Sequence, residues 1–79
     1  MNKTILLYEK FKSGKIAYSV ISREELATYV INRDVSDAVR DYRFFEIVQP
    51  GELKELVCVM SGNIMEFIDA DRNIVFVYA

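Results

Sequence analysis

The chain has 79 residues, a net charge of −2 and 52% hydrophobic side chains, among them five Tyr and five Phe. That is one domain (1–79) with one core, rich enough in apolar groups to exclude intrinsic disorder and to fold without metal or disulfide staples. Histidine is absent and Cys58 is the single cysteine, which excludes Ser-His and Cys-His nucleophile pairs, imidazole acid–base chemistry, internal disulfides and nearly every transition-metal site.

With three glycines and no phosphate-cradling loop, the chain reads as non-enzymatic, and no cofactor is expected. No apolar run approaches the roughly 20 residues that span a membrane, and the N-terminus lacks the apolar core of a signal peptide. A cytoplasmic protein with no membrane contact is expected. Charge is unevenly spread: residues 1–23 carry five Lys/Arg against one Glu, and residues 24–79 carry five against eleven acids. Such polarity can steer a partner's approach.

"TILLYEKF" (Thr4–Phe11) and "KIAYSVI" (Lys15–Ile21) are rich in strand formers and flank Ser13-Gly14, a hairpin signal. A two-residue turn sets Leu7 against Val20 and Phe11 against Ile16. It places Ile5, Leu7, Phe11, Ile16, Tyr18 and Val20 on one core face, interrupted only by Glu9.

"ISREEL" follows. Ser22 and Glu25 have the spacing of a capping box, with Ile21 and Leu26 placed as its hydrophobic staple. The predicted helix runs from about Arg23 to Asn32, with Leu26, Ala27, Val30 and either Tyr29 or Ile31 inward. Glu24 and Glu25 complement the helix dipole. Adjacent helical residues point apart, so they do not form a catalytic carboxylate pair.

"DVSDAVRDY" predicts a second, shorter helix capped by Asp34. Val35, Ala38, Val39 and Tyr42 fall at i, i+3, i+4 and i+7, one apolar stripe. "FFEIV" (Phe44–Val48) is a strand stopped by Pro50-Gly51. That pair prefers a type II turn, which fits a tight hairpin poorly, so a corner or looser connection is expected.

"LKELVCVM" (Leu53–Met60), "NIMEFID" (Asn63–Asp69) and "NIVFVYA" (Asn73–Ala79) predict a meander in which Cys58 is a small buried hydrophobe. The "DADRN" between the last two strands opens like a calcium loop. Its sixth position is Ile74 rather than Gly, and no twelfth-position Glu follows, so it reads as a hairpin turn and not a metal site. The expected fold is α+β: a hairpin, a capped helix plus a short second helix, and an antiparallel meander.

Two surfaces are candidates for function. Tyr8, Lys10, Lys12 and Lys15, with Lys3 and Phe11, interleave cations and aromatics on the first hairpin, a pattern suited to single-stranded nucleic acid. Lysines at hairpin tips also guard against edge pairing. The second surface is "IVFVY", where Val75, Phe76, Val77 and Tyr78 make a strand apolar on both faces. It must be covered twice, either as a central strand of the monomer or by a partner or second subunit.

The order of hairpin, helix opening "SREEL" and "YRFFEIVQPGELKEL" resembles the short uncharacterised proteins encoded by phages and prophages of low-GC Gram-positive bacteria. The resemblance covers about the first 57 residues and carries over no functional residue. It implies a small non-enzymatic protein that binds a bacterial host protein, in the host cytoplasm, and inhibits or redirects it in host takeover or anti-defence. The expectation is therefore a protein-binding module, with a homodimer possible. The alternative is a nucleic-acid-binding accessory or regulatory protein using the basic hairpin.

Overall fold

The computed structural model describes residues 2–32 and 38–79. Six strands make one antiparallel sheet: β1 (Ile5–Phe11), β2 (Ile16–Ile21), β3 (Val39–Gln49), β4 (Glu52–Ser61), β5 (Ile64–Ile68) and β6 (Ile74–Tyr78). A nine-residue helix, α1 (Arg23–Ile31), is inserted between β2 and β3. The spatial order is β2-β1-β3-β4-β5-β6, so β2 and β6 are the two edges. The long β4 joins two ladders, pairing with β3 through Glu52–Leu56 and with β5 through Val57–Ser61.

The expected α+β balance is not what forms. The molecule is all-β in character, a six-stranded sheet carrying one short helix. Of the predicted second helix, residues 33–37 lie outside the described residues, and from Val39 onward the chain is β3. The error has a local cause. Asp41 pairs with Lys10 and Val39 with Phe11, so Arg40 is an extra residue on β3. A bulge of this kind converts the i, i+2 repeat of a strand into i, i+3, and Val39 and Tyr42 imitate a helical stripe.

The first helix forms as its local signals dictate. Glu25 N–H donates to Ser22 Oγ at 3.1 Å, and Ser22 N–H donates to Glu25 Oε1 at 2.9 Å, closing the capping box. These bonds hold the Glu25 carboxyl below its ordinary pKa. Leu26 and Ala27 are fully buried, Tyr29 and Val30 pack beside them, and Ile31 is exposed.

Turn chemistry sets the registers. The β1–β2 loop has three residues rather than two: Phe11 N–H donates to Lys15 O, and Gly14 sits at φ +93°. That left-handed position suits glycine and belongs to the three-residue hairpin loop. The register is Leu7 against Ser19 and Lys10 against Ile16, one residue from expectation. A one-residue slip sends every side chain of the strand to the other face. Ile16, Tyr18 and Val20 are accordingly exposed, not core.

Pro50-Gly51 also differs from expectation. It makes a tight connection, with Gly51 at φ +84° and Gln49 opposite Glu52. Val48 is bulged out of the ladder beside it, and the added twist reconciles a type II turn with paired strands.

The core lies on one face of the sheet. Ile5, Leu7, Phe44, Leu56, Met65 and Phe67 come from β1, β3, β4 and β5, and Leu26 and Ala27 of α1 cover them. Phe67 is fully buried, stacked on Phe76 at 4.4 Å and edge-on to Phe44 at 5.9 Å. Cys58 is half-buried beside this cluster, and desolvation raises its thiol pKa.

Candidate functional site

Three features remain after the core is accounted for. The first is a polar cluster under the N-terminal end of α1. Glu46 is opposite Ile5 on one side and Lys54 on the other, and its alternation with Phe44 puts it on the covered face. It is only 7% exposed. Its Oε1 accepts from Arg23 Nε at 3.0 Å and from the Arg23 terminal nitrogen. Its Oε2 has no hydrogen-bond partner among the described residues.

The Arg23 guanidinium in turn lies 4.6 Å above the Phe76 ring, so one side chain ties α1 to both β3 and β6. Lys54 Nζ is 3.7 Å from Asp69 Oδ2. An open cleft of about 600 Å³ runs past Arg23, Glu46, Lys54 and Val75. Nothing in the sequence links Arg23 to Glu46 across the intervening residues. The one available signal was a charge standing in line with Phe44 on a core face.

Asp69 explains the "DADRN" turn. Its Oδ1 accepts from the amides of Asp71 and Asn73, each at 2.9 Å, while Arg72 takes the left-handed φ of +67°. The Asn73 amide, first among several causes, holds the Asp69 carboxyl below the usual range. The carboxylate is occupied as the organiser of the β5–β6 turn.

The second feature is the uncovered face of the sheet. Ile5 and Leu7 point to the core and Glu9 accepts from the Tyr29 hydroxyl at 3.0 Å, so Leu6, Tyr8 and Lys10 point the other way. Tyr8 and Tyr18 lie 5.5 Å apart and border a shallow hollow with Asp41, Arg43 and Phe45. The same parity along β4, β5 and β6 presents Leu53, Val57, Val59, Ile64, Ile74 and Val77, each at least 40% exposed. No described residue outside the sheet covers this face.

Of the residues singled out on the basic hairpin, Tyr8 and Lys10 are on that face. Lys12 and Lys15 are at the exposed hairpin tip. Lys10 is directly opposite Asp41 in the β1–β3 ladder, so the four do not form one cationic track.

The third feature is the β6 edge. Val75 and Phe76 both pack against the core. Simple alternation would separate them, but Phe67 pairs with Phe76 and Ile68 with Ile74, leaving Val75 bulged. Val77 and Tyr78 are exposed. Among the described residues no strand pairs with the outer side of β6. The strand is therefore neither central nor fully buried. It is an edge with no charge and no proline, which lacks two of the usual guards against pairing.

No helix among the described residues is long and apolar enough to cross a membrane. Compared with family models, curated proteins and solved structures, the chain matches none.

Proposed function

We propose that this protein is a non-enzymatic binding module that acts by contact with another protein through the β6 edge. In line with the phage and prophage resemblance, its partner is a bacterial host protein that it inhibits or redirects in the host cytoplasm. The observation that carries the reading is the position of "IVFVY". Five consecutive apolar residues end the sheet with a backbone edge that no described residue pairs, and Val77 and Tyr78 flank it in solvent. An extended segment of a partner can add there as a seventh strand, with main-chain bonds for affinity and alternate side chains for selectivity.

Support for the alternative, nucleic-acid binding through Tyr8, Lys10, Lys12 and Lys15, is weaker. A strand of phosphates requires a continuous cationic track, whereas Asp41 faces Lys10 in the ladder and alternation puts Glu55 and Glu66 on the same face.

The test is capture of bacterial lysate proteins on immobilised wild type and on Tyr78→Lys, with mass spectrometry of what is retained. Tyr78 is exposed and off the uncovered face, so Tyr78→Lys should keep the wild-type circular dichroism and lose the specifically retained protein. Equal capture by both proteins would remove β6 from the interface. Salt-sensitive retention of single-stranded oligonucleotides by wild type, abolished in Lys12→Glu/Lys15→Glu, would favour the alternative.

A further inference from the structure

We propose that the partner strand added at the β6 edge is basic on one side only, with Lys or Arg facing Val77 and uncharged side chains facing Phe76. This specification rests on the edge pairing proposed above and names the chemistry of the partner segment.

The ladders place one carboxylate beside that edge. Val59, Glu66 and Val77 form a continuous cross-strand row, with Glu66 between the two valines. Met65 and Phe67 are buried in the core, so Glu66 stands on the uncovered face. Its neighbours there, Val57, Val59, Ile64 and Val77, are all exposed apolar side chains, and Glu66 is half-buried among them. The ion pairs of the described residues join Arg23 to Glu46 and Lys54 to Asp69. No described cation is paired with Glu66.

A strand bonded to the outer side of β6 extends this row by one position. Its residue opposite Val77 is two strand spacings from Glu66, roughly 9–10 Å. Val77, the side chain between them, is short and apolar. A Lys or Arg stem lies along such a surface and carries its charged head to the carboxylate. An uncharged residue at that position would cover Val77 and take water from Glu66 without replacing it, which costs free energy. Attraction and penalty therefore select the same partner, one with a cation in this row.

The other side of the edge selects against cations. There the Arg23 guanidinium stands 4.6 Å above the Phe76 ring, with Glu46 as its counter-charge. A second cation beside Phe76 would meet like charge. Successive side chains of an extended chain take opposite sides, so one strand satisfies both requirements by alternation. The partner segment is basic and uncharged by turns.

Two acetylated and amidated peptides of about eight residues serve as probes, one alternating Val with Lys and the other Val with Gln. Affinity is read by titration calorimetry on the full chain, and the binding place by amide hydrogen exchange. Amides of β6 should gain protection when the Val-Lys peptide is added. Its dissociation constant should be about threefold or more below that of the Val-Gln peptide, the size expected of an exposed charge pair. Glu66→Gln should abolish this preference and Glu66→Lys should invert it. Glu55→Gln removes the same charge from the same face, but from β4 opposite Phe45, and should leave the preference intact. Each variant should keep the wild-type far-ultraviolet spectrum.

Equal affinity for the two peptides, with β6 protected by both, would overturn the basic specificity and leave edge pairing standing. So would a preference that survives Glu66→Gln, or one that Glu55→Gln removes as fully, since the attraction would then be to net charge alone. Absence of protection at β6 with either peptide would overturn edge pairing and the specificity together.

Discussion

On β4, Leu56 and Val57 are neighbours in sequence and opposites in environment. Leu56 is 3% exposed beneath α1, and Val57 is 56% exposed on the far side of the same strand. The contrast repeats across the sheet. Phe44 and Phe67 on one face are buried, whereas Tyr18 and Ile74 on the other are open to solvent. Both faces are apolar, so hydrophobicity alone does not decide which becomes core. The difference is that α1 can cover only one of them. Its capping box fixes where the helix starts, and the Arg23 contacts to Glu46 and Phe76 fix where it lies.

Side-chain substitutions can break this comparison at several strengths. The largest effect is expected at Phe67, the largest fully buried side chain. Phe67→Ala should cost about 3–5 kcal/mol in urea unfolding, because the ring contacts to Phe44 and Phe76 are lost with it. A cost below about 1 kcal/mol, within the range of an ordinary surface change, would refute the one-sided core.

Arg23→Ala comes next. It strands Glu46 under the helix, and the buried carboxylate then lacks its only donor among the described residues, a loss of roughly 1–3 kcal/mol. Arg23→Ala/Glu46→Leu should recover much of that loss, because replacing both partners by apolar groups removes the unpaired charge. No recovery in the double variant would mean that Arg23 acts through Phe76 rather than through Glu46. Ser22→Ala is smaller again, at about 1 kcal/mol, and coincident urea midpoints for it and the wild type would contradict the cap.

The smallest effect is a pH dependence. The folded pKa of Asp69 lies below its ordinary 3.8, chiefly through the Asn73 amide. The stability this carboxylate contributes is therefore fully present above that ordinary value and is lost as pH falls through the depressed folded value. Asp69→Asn should flatten the urea midpoint across that acidic window relative to wild type. Parallel pH profiles for the two proteins would remove Asp69 as the turn's organiser.

The parts legible in the sequence are those fixed within a few residues. The helix start was readable because Ser22, Glu25, Ile21 and Leu26 are all within one turn of each other. The three meander strands, the Phe44–Val48 part of β3 and the "DADRN" turn were readable from apolar runs punctuated by Gly, Pro, Asn and Asp. What was not legible depends on one-residue insertions. Gly14 lengthens the first loop and flips Ile16, Tyr18 and Val20 outward, while the Arg40 bulge makes the start of β3 look helical.

The candidate surfaces divide in the same way. The apolar run Val75–Tyr78 is visible as a string, yet its position at an edge depends on sheet order, which no local pattern states. Glu46 with Arg23 and the exposed apolar face are products of tertiary register alone.

The account's central claim is that alternation along one sheet separates a buried core from an exposed apolar face, and β4 offers its most direct test. Leu56→Lys and Val57→Lys should be compared by thermal melting and by circular dichroism under identical conditions. Leu56→Lys should show no cooperative transition, because a buried unpaired ammonium opposes a total stability of roughly 4–12 kcal/mol. Val57→Lys should melt cooperatively, close to the wild type. A folded Leu56→Lys or an unfolded Val57→Lys would contradict the account.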